Sequence, residues 1–296
     1  MKLGIMLPVG GDDGPDGQMP RWADTRRMAL ATEAAGLDSV WLADHFFYRD
    51  PSGTTYGIHE AWTLLSAVAA VTERVELGTM VLCSSFRDPG LVAQMATTLD
   101  EVSGGRVILG VGAGWHDPEY EAFGLPTDHR ASRFAEWVEI VARLIRGETV
   151  THKGTYYQVD EAVLVPQPER RIPILVASRQ PRMLDLTAQW ADQWNTAWFS
   201  GVEDKARERL AAFDEALTRN NRPVGEVSKT VGLTVRDPDQ KPSDEPGAFT
   251  GTVEELAEVF TAYAELGVEH LIVGLQPMTP RSVERLAGAK ALAFGG

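Results

Sequence analysis

The stretch Gly105–Gly124 reads G-R-V-I-L-G-V-G-A-G-W-H-D-P-E-Y-E-A-F-G. Its apolar run, Val107 to Val111, passes without a turn residue into the alternate glycines Gly110, Gly112 and Gly114, and then into Trp115, His116, Asp117, Glu119 and Tyr120. Such a run predicts a buried strand that opens directly into polar and aromatic side chains. Because side chains alternate along a strand, Gly110 and Gly112 share a face bare of Cβ atoms, against which a flat group could lie.

Outward from this strand the chain alternates. Before it, Pro89 to Val102 has helical spacing and is closed by Gly104 and Gly105; after it, Arg130 to Arg146 is amphipathic. The other strand-like runs are Lys2 to Pro8, Ser39 to Ala43, Val75 to Leu82, Ile174 to Ala177, Gln193 to Ala197, Lys229 to Val235 and His270 to Leu275. Between them lie helical patterns at Trp22 to Ala35, His59 to Thr72, Pro181 to Trp190, Val202 to Asn220, Val253 to Leu266 and Pro280 to Ala293. One interruption stands out: Glu148 to Pro168 contains V-T-H-K-G-T-Y-Y-Q-V, two short β runs around Lys153-Gly154, which predicts an inserted hairpin.

With Val107 to Val111 the strands number eight. Two αβ units, A-T-E-A-A-G-L-D-S-V-W-L and A-Y-A-E-L-G-V-E-H-L-I-V, look alike. Eight such units in 296 residues specify one (β/α)8 TIM barrel domain over 1–296, with the insertion at about 148–168. The competitor, a doubly wound open sheet, binds at a Gly-rich first turn that this chain lacks.

Hydrophobic residues make up 44% and charged residues 24%, a globular composition without a disordered tract. A net charge of −14 argues against nucleic acid and anionic membrane partners. Cys83 is the single cysteine, so no disulfide forms within the chain and a cytoplasmic setting is expected. The short apolar run at the start stops at Pro8 and reads as a strand, not a signal peptide, and no apolar window is long enough to span a bilayer. Asp12, Asp13 and Asp16 lack the ligand alternation and terminal Glu of a calcium loop.

A barrel's active site is built at the C-terminal ends of its strands. That rule gathers Asp44 and His45, Met80 to Ser84, Gly112 to Tyr120, Ser178 to Arg182, and Trp194 to Thr196 into one constellation. The glycines spell G-x-G-x-G, with Trp115 where a dinucleotide fingerprint needs its last glycine; their alternative is barrel packing. His45 is a candidate proton donor or base, against the alternative of a rim histidine bonded to Asp44. A metal reading recruits Asp44, His45, His59, His116 and Asp117, whose spacing matches no compact zinc signature. Ser178, Arg179, Gln180 and Arg182 lie between a strand and the start of a helix, where an anion is favoured; Pro181 fits the first helical turn. Ser84, Ser85 and Cys83 have no nucleophile motif around them.

Taken together, W-L-A-D-H-F (Trp41–Phe46), L-G-T-M-V (Leu77–Val81), the Gly105–Trp115 stretch with Glu119 and Gly124, T-H-K-G-T-Y-Y, P-Q-P before I-P-I-L-V, and A-D-Q-W-N (Ala191–Asn195) resemble the luciferase-like monooxygenase superfamily, in its branch dependent on the deazaflavin F420. The resemblance covers almost the whole chain. It implies a hydride-transferring oxidoreductase acting on a small organic substrate, and a homodimer. A bulge backing the ring, often with a non-prolyl cis peptide, is expected within Met80, Val81, Leu82 and Cys83. Asp44 and His45 match ring-contacting positions, and Gly112, Ala113 and Gly114 a cofactor wall. The Ser178 to Arg182 loop matches the cofactor phosphate site, and Ala177, Ser178, Arg179 and Gln180 are the cofactor-binding candidates there; relatives show a Gly-rich loop, and A-S-R-Q-P-R has no glycine, which shifts the expected contact to Arg179. Some relatives carry a catalytic Glu directly after the glycines. Trp115 stands there in this chain, and Glu119 does not follow as its replacement; the candidate catalytic residues are His45 and Glu119. The alternatives are an FMN-dependent monooxygenase using oxygen, a non-catalytic cofactor-binding protein and a metal-dependent hydrolase.

Overall fold

The computed structural model describes residues 1–11, 13–14, 17–240 and 247–295. Asp12 and Asp16, and residues 241–246, lie outside them.

The first half of the chain forms β1 (Lys2–Met6), α1 (Trp22–Ala34), β2 (Ser39–Leu42), β3 (Phe47–Arg49), β4 (Thr55–Gly57), α2 (Ala61–Ala69), β5 (Glu76–Thr79), β6 (Leu82–Cys83), α3 (Pro89–Ser103), β7 (Val107–Gly112), α4 (Asp117–Phe123) and α5 (Arg130–Ile145). There follow β8 (Val150–Lys153), β9 (Gln158–Ala162), β10 (Ile174–Ala177), α6 (Pro181–Trp190), β11 (Gln193–Phe199), α7 (Asp204–Arg219), β12 (Ser228–Arg236), β13 (Phe249–Thr250), α8 (Val253–Glu265), β14 (Val268–Gln276) and α9 (Pro280–Phe294).

Parallel pairing runs β10-β11-β12-β14-β1-β2-β5-β7, and β7 returns to β10 through Ile174 opposite Leu109, which closes an eight-stranded barrel. Strands covered on both faces read as continuous apolar runs, and β7 is buried at all six positions. Outward side chains meet the helices in one large core; inward ones form a separate cluster of Met6, Trp41, Ile108, Leu175 and Ile272.

Helix ends follow local chemistry. At α3, Asp88 accepts hydrogen bonds from the N–H groups of Gly90 and Leu91, Pro89 opens the helix, and Gly104 ends it in the left-handed region at φ 68°. Strands β8 and β9 pair antiparallel outside the barrel, and the Glu136 side chain of α5 accepts the N–H groups of Thr155, Tyr156 and Tyr157 at their turn.

Two local expectations shift, and the chain after β2 adds a strand pair. The strand expected over Val75 to Leu82 is two pieces, β5 and β6, separated at Met80-Val81, which is a non-prolyl cis peptide. The helix expected from His59 begins at Ala61, because Glu60 caps it by accepting from Trp62 and Thr63. The loop from Phe46 to Ile58 contains the antiparallel pair β3 and β4.

Candidate active site

A cavity of about 660 Å³ opens over the C-terminal ends of β2, β6, β7, β10 and β11. Asp44, His45, Met80, Val81, Cys83, Gly112, Ala113, Gly114, Glu119, Ala177, Ser178, Arg179 and Gln180 all line it. Leu82 does not. It is fully buried in the outer core, because past Met80-Val81 the pleat turns its side chain away from the barrel mouth. Arg182 also points elsewhere, donating to Ser132 of α5, and Trp194 is buried against Phe213 with ring centroids 4.4 Å apart.

The glycine face is occupied by protein. A Cβ on Gly110 would lie 1.8 Å from the Thr79 carbonyl oxygen, and one on Gly112 would lie 2.8 Å from Val81 Cγ2. The alternate glycines admit the displaced third strand, so the packing reading holds for Gly110, while Gly112 and Gly114 also border the cavity. Asp44 holds the same segment from the other side: its Oδ2 accepts the Cys83 N–H at 2.9 Å, and Arg87 grips both carboxylate oxygens at 2.8 and 2.9 Å. The fork geometry is the strong form of this pair. Cys83 is buried, which pushes its thiol pKa up, and its Sγ lies 3.2 Å from the Tyr120 hydroxyl.

His45 is not bonded to Asp44. Its Nδ1 lies 2.8 Å from Glu119 Oε2, and Glu119 Oε1 accepts the backbone N–H groups of Phe46 and Phe47. The short helix α4, ended by Gly124 at φ 66°, carries Glu119 back beneath the chain that follows β2. Glu119 is 1% exposed. A carboxylate only accepts, so the shared hydrogen belongs to Nδ1, and Nε2 is left as the nitrogen free to exchange a proton. Trp115 is 63% exposed and sets its indole edge-on to the His45 ring at 5.8 Å.

The opposite wall is cationic. Arg179 and Arg209 both line the cavity, and Arg209 is held by the Thr196 hydroxyl and the Ala197 carbonyl, each at 2.9 Å. Burial lowers the pKa of Arg209, and the positive charge of Arg179 lowers it further. Gln180, which follows Arg179, caps α6 without a side-chain hydrogen bond, so the cap leaves N–H groups of the first turn unpaired by its side chain. The strand-end rule could not find Arg209, which lies inside α7 and reaches back over β11.

The five groups of the metal reading are dispersed. His59 bonds to the Pro20 carbonyl, His116 accepts the Arg49 N–H at 3.0 Å, Asp117 pairs with Arg130, and Asp44 and His45 have the partners above. Among the described residues no group of three or more His, Cys, Asp and Glu is arranged to hold a metal ion. Burial lowers the pKa of His116.

A family model described as luciferase-like monooxygenase matches residues 1–241. The F420-dependent glucose-6-phosphate dehydrogenase of Amycolatopsis mediterranei is 32% identical over 235 residues, 77% of this chain and 68% of that one. The chain spans from 61% to 80% of the length of others so named. Pyrimidine monooxygenase RutA of Allorhizobium ampelinum is 28% identical over 240 residues, 76% of this chain and 64% of that one. An F420-dependent secondary alcohol dehydrogenase, solved with an F420-acetone adduct, superposes with a TM-score of 0.80 at 20% identity, covering 99% of this chain and 98% of that one. The chain belongs to the luciferase-like monooxygenase family.

Proposed function

We propose that this chain is an oxidoreductase that transfers a hydride between coenzyme F420 and a small organic substrate. The observation that carries the reading is the division of one cavity between two chemistries: a histidine backed by a buried carboxylate on one wall, and the two arginines Arg179 and Arg209 on the other. A ligand with a planar head and an anionic tail matches that division, and about 660 Å³ lies within the usual range for such sites. The relatives named as F420-dependent dehydrogenases support the choice of cofactor.

When bound, F420 supplies the hydride chemistry. The residues do the rest. Met80, Val81 and Gly112 would back the ring, and Arg179, Arg209 and the N-terminus of α6 would hold the phosphate. His45 exchanges a proton at Nε2 while Glu119 keeps its ring oriented. Cys83 and the Asp44–Arg87 pair hold the β6 segment against β7. The reading also takes the chain to be cytoplasmic, from its lone cysteine, and a homodimer, which sedimentation would read.

Titrating the purified protein with F420 and with FMN, following tryptophan fluorescence, tests the proposal. Saturable F420 binding is expected; FMN binding at micromolar levels without F420 binding would overturn it in favour of the flavin monooxygenase reading, which the pyrimidine monooxygenase relative supports.

A further inference from the structure

Tyr120 borders the cavity at 1% exposure, one residue beyond Glu119 on α4. Its hydroxyl meets three segments of chain. Oη lies 3.0 Å from the Ala113 carbonyl oxygen in the turn after β7, 3.2 Å from Cys83 Sγ at the end of β6, and 3.1 Å from Ser85 Oγ in the 3-10 turn Ser84–Phe86. A phenol has one hydrogen to give, and a carbonyl oxygen can only accept. That hydrogen therefore goes to Ala113, and the Cys83 thiol and the Ser85 hydroxyl, which can each donate, turn theirs to the phenol oxygen. Burial pushes the Tyr120 pKa up, so the phenol stays protonated at neutral pH. With its hydrogen given and its lone pairs filled, the hydroxyl has nothing left for a ligand.

The sequence makes room for this knot. Gly114, the third of the alternate glycines, sits at φ 77°. A Cβ on it would collide with the Tyr120 hydroxyl oxygen and stand 2.7 Å from Cys83 Sγ. The bare backbone there admits the phenol, as that at Gly110 admits the Thr79 carbonyl. β6 and β7 pair through Leu82 opposite Val111 and Cys83 opposite Gly112, and Tyr120 extends that short tie beyond its last pair. Arg130 of α5 lies over the Tyr120 ring at 4.1 Å and donates to Asp117 in the first turn of α4. One short helix thus carries both the carboxylate that holds His45 and the hydroxyl that holds the ends of β6 and β7.

We propose that the Tyr120 hydroxyl is a positioning group: it locks α4 to the Cys83 and Ala113 segments, so that the wall suited to a flat ring and the Glu119–His45 pair keep one fixed spacing. The role rests on the proposed F420 reading for what that wall would back. Spacing of this kind matters because a misplacement of about 1 Å can cost about 10²-fold in rate. A phenylalanine ring would fill the same space without the hydroxyl, and would leave α4 free to shift and draw Glu119 Oε2 off His45 Nδ1.

Tyr120→Phe tests the role in the full chain, with neither cofactor nor substrate needed. Cys83 is the single cysteine, so the rate of labelling by N-ethylmaleimide reports on the end of β6 alone. Long-range proton–nitrogen spectra at about pH 8, above the histidine range, read which nitrogen of His45 carries the hydrogen, with His45→Ala to assign the signals. In the unaltered chain a slowly labelled thiol and the Nδ1–H form of His45 are expected. In Tyr120→Phe the thiol should label about tenfold faster or more, as local opening of the β6 end becomes easier, and the Nε2–H form should become populated. If Tyr120→Phe fails to fold by circular dichroism, Ser85→Ala removes one donor from the same knot and should move both readouts in the same direction. An unchanged labelling rate or an unchanged His45 tautomer in a folded variant overturns the proposal, because the hydroxyl then packs without positioning. Failure of F420 to bind the unaltered chain overturns the cofactor reading instead, and the thiol and tautomer readouts still decide the role of Tyr120.

Discussion

Nδ1 of His45 lies 2.8 Å from Oε2 of Glu119, and the other oxygen of that carboxylate is committed to the backbone of Phe46 and Phe47. Glu119 therefore fixes three things at once: the hydrogen on Nδ1, the plane of the imidazole and the path of the chain after β2. On the proposed reading, a carboxylate so occupied acts through the histidine, as a positioning residue.

This makes the two residues separable. His45→Ala is expected to lower turnover by about 10²–10⁴-fold with F420 binding nearly kept, the usual span for losing a general acid or base. Glu119→Gln keeps the shape but gives His45 a partner able to donate, favouring the opposite tautomer; it should lower kcat with little change in KM. In the double variant the losses should fall well short of additive, because Glu119 has nothing left to position. Additive losses in steady-state kinetics would show that the two act independently.

The anion wall yields a second expectation. Arg179 is exposed and reaches the cavity freely, whereas Arg209 is fixed by Thr196 and Ala197. Arg179→Ala should weaken F420 binding by about tenfold, on the order of one charge-assisted hydrogen bond, and should flatten the salt dependence of the affinity. Unchanged affinity and unchanged salt dependence in fluorescence titrations would move the phosphate elsewhere.

How much of this was legible in the sequence depends on what each signal measures. Gly, Pro and Asp punctuation reports local backbone chemistry, so α3, bracketed by Asp88-Pro89 and Gly104, appears almost where it was expected. The strand-end rule then brought most of the cavity together, because closure of a barrel is global and needs no knowledge of side-chain direction. Direction is where it failed. Leu82 was placed on the cavity with the whole Met80–Cys83 segment, but β6 starts anew after β5 and its side chain enters the outer core. A missing Cβ at Gly110 says that space is taken, and cannot say whether a ligand or the Thr79 carbonyl takes it. Arg209 carries no signal at all, since a helix residue reaching over a strand end looks like any solvated arginine.

The glycine correction can be checked directly. At Gly110 the clash is with backbone, which cannot rotate away, and at Gly112 it is with a side chain, which can. Gly110→Ala should therefore destabilise the fold more than Gly112→Ala, with the latter near the 1–3 kcal/mol usual for overpacking, about what repacking Val81 demands. Denaturant melts that rank the two the other way would restore Gly110 to the ligand wall.

The Asp44–Arg87 pair makes a further demand. Both side chains are largely buried, at 3% and 12% exposure, and Asp44 also satisfies the Cys83 N–H. Asp44→Ala strands a buried guanidinium and a backbone donor together, and a loss of roughly 3–5 kcal/mol is expected in urea unfolding. Glu60 is a second partner of Arg87, so Asp44→Asn, which keeps an acceptor, should cost clearly less. Equal losses in the two variants would mean that the fork is not what holds the segment.

His270 gives the fold a pH signature of its own. On β14 it is buried at the inner barrel wall, with Nε2 2.8 Å from the Ser39 hydroxyl and the Trp41 indole edge-on at 5.7 Å. Burial, with the nearby Lys2 charge, pushes its pKa down to about 3. In the unfolded chain the ring titrates near about 6.5. Between those values the unfolded state binds a proton that the fold refuses, so stability is full above about pH 6.5 and falls as pH drops, by about 1.4 kcal/mol per unit. At about pH 5 this one group should cost about 2 kcal/mol. His270→Gln, which keeps a polar group facing Ser39, removes the titration. Its unfolding free energy should decline less steeply than that of the unaltered chain between about pH 6.5 and pH 5, by that same amount, while carboxylates common to both cancel. Parallel stability curves over this range would show that His270 is protonated in the folded barrel, contrary to its burial.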